Sequence, residues 1–175
     1  MTALVSAVTD EQMKNRRVYG WLNAVLLGHL KEHTVGAARF LVLDTLQREW
    51  RDSLRHFQDM PEEKQKVFLE KQGFIHFRDL MAHIIAWWED GLEAIDAITK
   101  NAAYHHPEKE PDAFNAEAVR IFGELDEAEL WKRFESTRQS LIELAINLPE
   151  AIFNHKDLQE WLRADVIEHY YEHVV

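Results

Sequence analysis

The sequence predicts an all-α protein, a bundle of four long helices with an additional N-terminal helix. Three observations carry this. With Gly 6 and Pro 4 in 175 residues, the chain has few of the turn residues that hairpins and crossovers need. Ala, Leu, Glu, Gln, Lys and Arg are abundant, and they lose little on entering a helix. Several long stretches carry apolar residues at helical spacing, and such stripes can be buried only against other helices.

Residues 1–9 are mild in character and read as loose. Thr9 and Gln12 form a Thr-x-x-Gln capping box that opens a helix over about 10–33, with Val18, Trp21, Leu22, Val25 and Leu26 on one stripe. Thr34-Val35-Gly36 interrupts it. A second helix spans Ala37 to Phe57 on Phe40, Leu41, Leu43, Leu46, Trp50, Leu54 and Phe57, and Asp59-Met60-Pro61 stops it. Residues 61–72 read as a short helix or a polar excursion, ended by Gly73. The clearest helix runs from about His76 to Thr99, with a wide apolar face of Phe77, Leu80, Met81, Ile84, Ile85, Trp88, Leu92 and Ile95. A polar loop over 101–113 leads to a small helix at 114–122. Asp126, with Glu129 three residues on, caps a helix carried to Pro149 by Leu130, Phe134, Thr137, Leu141, Leu144, Ala145 and Leu148. A loop at 150–155 precedes the last helix, which begins near Asp157. No repeat or low-complexity tract divides the chain, so residues 1–175 read as one domain.

Composition narrows the function. Apolar residues at 46% and charged residues at 29% make a globular mixture rather than a disordered one. A formal charge of −11 repels phosphate backbones, so no nucleic-acid partner is expected. The densest basic run, Lys14 to Arg17, is short and reads as a solvated face. The absence of Cys excludes disulfides, a thiolate nucleophile and thiolate-bound zinc, and fits a cytoplasmic protein. The N-terminus lacks a signal-peptide pattern, and no apolar run is long enough to span a membrane. There is no phosphate loop, nucleophile elbow or dinucleotide fingerprint, which argues against nucleotide-driven chemistry.

The histidines are the informative feature. Two pairs stand at i, i+4: His29 with His33, and His169 with His173. That spacing puts both rings on one helix face, as when a helix supplies two nitrogen ligands to a metal. Both pairs read HxxEH, the inverted zincin pattern, but for the second pair too little chain follows to supply the downstream ligand that class needs. His169 and His173 extend the inward series 162, 166. Buried there, two neutral imidazoles need either hydrogen-bond partners or a metal. His83, in the most apolar helix, is the candidate third ligand; its alternative is a bundle-edge histidine packed against Trp87. His105 and His106 lie in a loop that could reach a site mouth, whereas His56, His76 and His155 sit near helix ends and read as structural or exposed. Three histidines with an open fourth position make a catalytic type of site, suited to zinc, nickel or iron. Glu89, Asp165, Glu168 and Glu172 are candidate bases.

The segments RDLMAHIIAWWEDGLEAI, DAFN, FESTRQSLIELAINLP and LRADVIEHYYEH, in that order, resemble the DinB-like superfamily and, more narrowly, its ClbS/DfsB branch. The resemblance covers about residues 40–175. It implies an up-down-down-up four-helix bundle; residues 1–38 depart from that pattern as an extra N-terminal helical segment, expected to cover one end or form a homodimer interface. It also implies a divalent metal held by one histidine of the second bundle helix and two of the last. The matching positions here are His83, His169 and His173. Asn115 stands where the branch has its recurrent Phe-Asn, either at a pocket mouth or capping the short helix. Trp87, Trp88, Tyr170 and Tyr171 are candidate pocket walls or core packing. The branch includes proteins believed to work without metal, and other branches are thiol-dependent transferases or isomerases.

Three functions follow as expectations. One is a metal-dependent hydrolase or thiol transferase acting on a reactive small molecule. Another is a metal-free resistance or small-molecule-binding protein, with aromatic and carboxylate residues touching the ligand. The last is a non-catalytic bundle that binds a protein partner.

Overall fold

The computed structural model describes residues 35–100 and 110–174, and all its regular structure is helical. Helix α1 (Val35–Asp44) continues through a π-helical segment, π1 (Thr45–Glu49), into α2 (Trp50–Asp59). Then come α3 (Glu62–Gln72), α4 (Phe77–Thr99), α5 (Pro111–Phe122), α6 (Glu127–Asn147) and the single turn α7 (Glu150–Phe153). Finally α8 (Lys156–Trp161) runs through π2 (Leu162–Glu168) into α9 (His169–His173). Among the described residues no helix is long and apolar enough to cross a membrane.

Four long helices plus one is therefore not the architecture. The described residues hold seven helical segments, over 35–59, 62–72, 77–99, 111–122, 127–147, 150–153 and 156–173. The physical reason lies in the prolines. Pro61 and Pro149 stand at the N-caps of α3 and α7, and Pro111 opens α5. A proline lacks an N–H, but the first turn of a helix has no intrahelical partner for that group anyway. The sequence reading took Pro61 and Pro149 as stops; each also starts a helix. The stretch 150–155, expected to be a loop, thus contains a helical turn, and α5 begins before residue 114. The expected helix over 10–33 and its Thr9–Gln12 cap lie outside the described residues.

The described residues divide into two compact units, 35–53 with 148–174, and 54–147 less the undescribed 101–109. In the first, α1 and π1 pack against π2. Its buried residues recur every fourth position: Ala38, Val42, Leu46 and Trp50 on one rod, Leu158, Leu162, Val166, Tyr170 and Val174 on the other. A pure α-helix has 3.6 residues per turn, so such a stripe would wind around it. A wider π-turn in mid-rod takes up the extra residues and keeps the stripe facing inward. Phe40, expected on the buried stripe, is 65% exposed because it falls off this spacing. Arg39 ties α1 to the segment that leads into the second rod, donating to the Leu148 carbonyl at 2.8 Å with its guanidinium 4.6 Å from the Phe153 ring centre.

In the second unit α4 packs along both α5 and α6. Leu80, Met81, Ile84, Ile85, Trp88 and Ile95 are buried, as the helical spacing predicts. They meet Leu130, Phe134, Thr137 and Leu141 of α6, also buried, with Trp88 and Phe134 rings 5.2 Å apart. Burying such side chains contributes about 1.5–3 kcal/mol each. Local chemistry sets the ends. Gly73 closes α3 at φ +81°, donating to the Glu70 carbonyl at 3.2 Å while Phe74 N–H reaches Leu69 at 3.0 Å. The Asp126–Glu129 cap is reciprocal, with bonds of 2.8 and 3.1 Å. Arg78 at the start of α4 donates to the Gly123 and Leu125 carbonyls at 2.9 and 2.5 Å, pinning the α5–α6 turn.

Candidate metal centre

Helix α9 supplies His169 and His173, whose ring centroids lie 4.7 Å apart. His169 is buried and His173 half-buried. They fall beside the inward stripe of π2 and α9, one helical turn apart, so both rings share a face. Tyr170 between them is fully buried. Its ring meets Trp50 edge-on at 5.2 Å, and its hydroxyl donates to Oε2 of Glu49 at 2.9 Å.

Helix α4 supplies His83, buried between Phe74 and Trp87, with ring centroids at 5.4 and 6.5 Å. Its Nδ1 lies 2.8 Å from Oδ1 of Asn115, and the same oxygen accepts the indole N–H of Trp87 at 2.9 Å. Phe114 packs edge-on against Trp87 at 4.7 Å. Asn115 is thus an interior residue of α5, whose side chain joins two residues of α4, and not a helix cap. Burial pushes the pKa of His83 below its ordinary value, with the Asn115 bond opposing more weakly. The ring is therefore neutral at neutral pH, the form in which imidazole binds a metal.

His169 and His173 belong to one unit and His83 to the other. Imidazole nitrogens suit a divalent transition metal or zinc, while magnesium and calcium prefer oxygen. The i, i+4 pair of α9 can offer two such nitrogens to one ion.

The candidate bases are not equivalent. Glu89 is held by Arg133 through both carboxylate oxygens, and Oε1 also accepts the Thr137 hydroxyl at 3.1 Å. Arg163 occupies Glu168 at 2.5 Å. Glu172 is exposed overall, yet partial desolvation of its carboxyl, and then Glu168, raise its pKa. Asp165 is half-buried, and Trp88 lies in the core against Phe134. His56, His76 and His155 are exposed, the latter two at the N-caps of α4 and α8. His29, His33, His105 and His106 lie outside the described residues. Sequence reasoning passed over Glu49 and Arg133, because each partner lies far along the chain and no local pattern joins them.

A cavity of about 410 Å³ lies in residues 54–147 among α4, α5 and α6. Phe114, Ile121 and Phe122 line it with Asp90, Glu93 and Glu117.

Compared with known proteins, the chain matches no family model, no curated protein and no solved structure, so these comparisons do not tie it to the DinB-like superfamily or its ClbS/DfsB branch.

Proposed function

We propose that His83, His169 and His173 bind a divalent zinc, nickel or iron ion, and that the protein is a metal-dependent hydrolase or thiol transferase acting on a reactive small molecule. The observation that carries this is the pair of imidazoles one turn apart on α9, His169 buried and His173 half-buried, with ring centroids 4.7 Å apart. Imidazoles so placed need either hydrogen-bond partners or a shared cation, and the buried, neutral His83 is the third ligand of this reading. When bound, the ion supplies Lewis acidity that turns a water or a thiol into a nucleophile near neutral pH. The chain's own residues would orient the ligands: Asn115 fixes His83, and the helical turn of α9 fixes the other two. The order of the His83, Phe114-Asn115 and HYYEH segments supports the same reading. In this reading the protein is cytoplasmic, works on a small-molecule substrate and pairs with a second copy of itself. A formal charge of −11 argues against nucleic acid.

A second reading has one observation in its favour. The 410 Å³ cavity combines aromatic and carboxylate walls, as a metal-free small-molecule-binding or resistance protein requires.

Elemental analysis of untagged protein, purified without added metal, separates the two. Near one metal per chain, lost on changing His169 and His173 to Ala, is the expected result. No metal as purified, and none taken up on titration at neutral pH, would overturn the metalloenzyme reading and direct assays to the cavity.

A further inference from the structure

We infer that Asn115 is a positioning residue, whose amide oxygen holds the Nδ1 proton of His83 and thereby puts the imidazole lone pair on Nε2. The argument runs through Trp87. An indole nitrogen only donates hydrogen bonds. Trp87 Nε1 lies 2.9 Å from the Asn115 side chain, so the atom it meets is the amide oxygen, which settles the orientation of that amide. The same oxygen lies 2.8 Å from Nδ1 of His83. An oxygen with no hydrogen cannot donate, so Nδ1 must carry the proton. In a neutral ring the lone pair then sits on Nε2.

The surroundings keep the arrangement in place. Asn115 projects from the interior of α5, which packs along α4. Phe114, its chain neighbour, packs edge-on against Trp87 and limits the indole's freedom to swing away. The two donors, His83 and Trp87, stand four residues apart on α4, one turn along the same face. Two convergent donors fill both lone pairs of one carbonyl oxygen, so rotating the amide would lose both bonds. The consequence for metal rests on the function proposed above: with Nδ1 committed, His83 offers Nε2 to the ion, and the hydrogen bond makes that nitrogen more basic.

The test reads the tautomer directly, in metal-free protein. Long-range ¹H–¹⁵N correlation spectra of uniformly ¹⁵N-labelled protein distinguish a protonated ring nitrogen from an unprotonated one. The expected wild-type result is His83 with Nδ1 protonated and Nε2 not. Asn115→Ala should lose that preference and populate the Nε2–H form, and Asn115→Asp, which keeps an acceptor oxygen, should restore it. In zinc or nickel titrations Asn115→Ala should bind roughly 10- to 100-fold more weakly, with partial recovery in Asn115→Asp. A wild-type His83 protonated at Nε2 would overturn the inference without any variant. So would an Asn115→Ala protein that folds and keeps the Nδ1–H form. If the tautomers behave as expected but wild-type protein takes up no metal, the positioning role stands and the metalloenzyme reading fails.

Discussion

The hydroxyl of Tyr170 donates a 2.9 Å hydrogen bond to Glu49, 121 residues away in the chain. Glu49 also pairs with Arg48 at 2.6 Å. The bond joins the end of π1 to α9, immediately beside His169. Tyr170→Phe removes the donor and keeps the ring on Trp50. Hydrogen bonds to charged groups contribute about 1.5–3 kcal/mol, and Arg48 still satisfies the carboxylate, so the loss should fall near the lower figure. Urea unfolding measures it. A variant as stable as wild type would mean that the bond adds nothing beyond ring packing.

The buried His83 should make metal-free protein sensitive to acid. Its folded pKa is lowered from 6.5, mainly by burial. Above 6.5 the ring is neutral in both folded and unfolded chains, so this contribution is fully present. As pH falls below 6.5 the unfolded chain takes up a proton first, and stability is lost until the folded pKa is reached. Unfolding free energies measured between pH 7.5 and 5 should therefore show a steeper acid decline in wild type than in His83→Gln. Equal slopes would remove His83 as a source.

Trp88 and Phe134 are both fully buried with their rings 5.2 Å apart. Trp88→Ala should cost about 3–5 kcal/mol, through lost burial and the cavity left behind. Because Trp88 faces the α6 side of α4, Trp88→Phe should be milder. Denaturant titration of the two variants tests the order, and a loss below about 1 kcal/mol for the alanine variant would contradict this packing.

Two helix ends carry local predictions. Asp126→Ala breaks a reciprocal cap and should cost about 1 kcal/mol. Gly73→Ala meets no atom within 4 Å, so space is no obstacle, but φ is +81° there. The left-handed conformation should still cost about 1 kcal/mol for a residue with a Cβ. Thermal unfolding of each single variant measures both. A neutral Gly73→Ala would show that the chain relaxes out of that conformation.

What the sequence determined by itself was local. The all-helical character, the Asp126–Glu129 cap, the stop at Gly73 and the buried face of α4 each depend on residues within a few positions of one another. Backbone hydrogen bonding and the 3.6-residue period turn those positions directly into structure. The pairing of His169 with His173 on one face belongs to the same class. Only the tertiary structure decided the rest. A stripe recurring every fourth residue reads as an ordinary helix, and its conversion into π1 and π2 appears only when two such stripes must face each other. A proline stops one helix or starts the next with the same ring, and the neighbouring packing decided that Pro61, Pro111 and Pro149 open new helices. That multiplied the segments beyond the expected four and one. The bond from Asn115 to His83 and Trp87 and the occupation of Glu89 by Arg133 both join residues far apart in the chain. Such pairings follow from how the helices pack, because hydrogen bonds and ion pairs act over a few ångströms of space whatever the distance along the sequence.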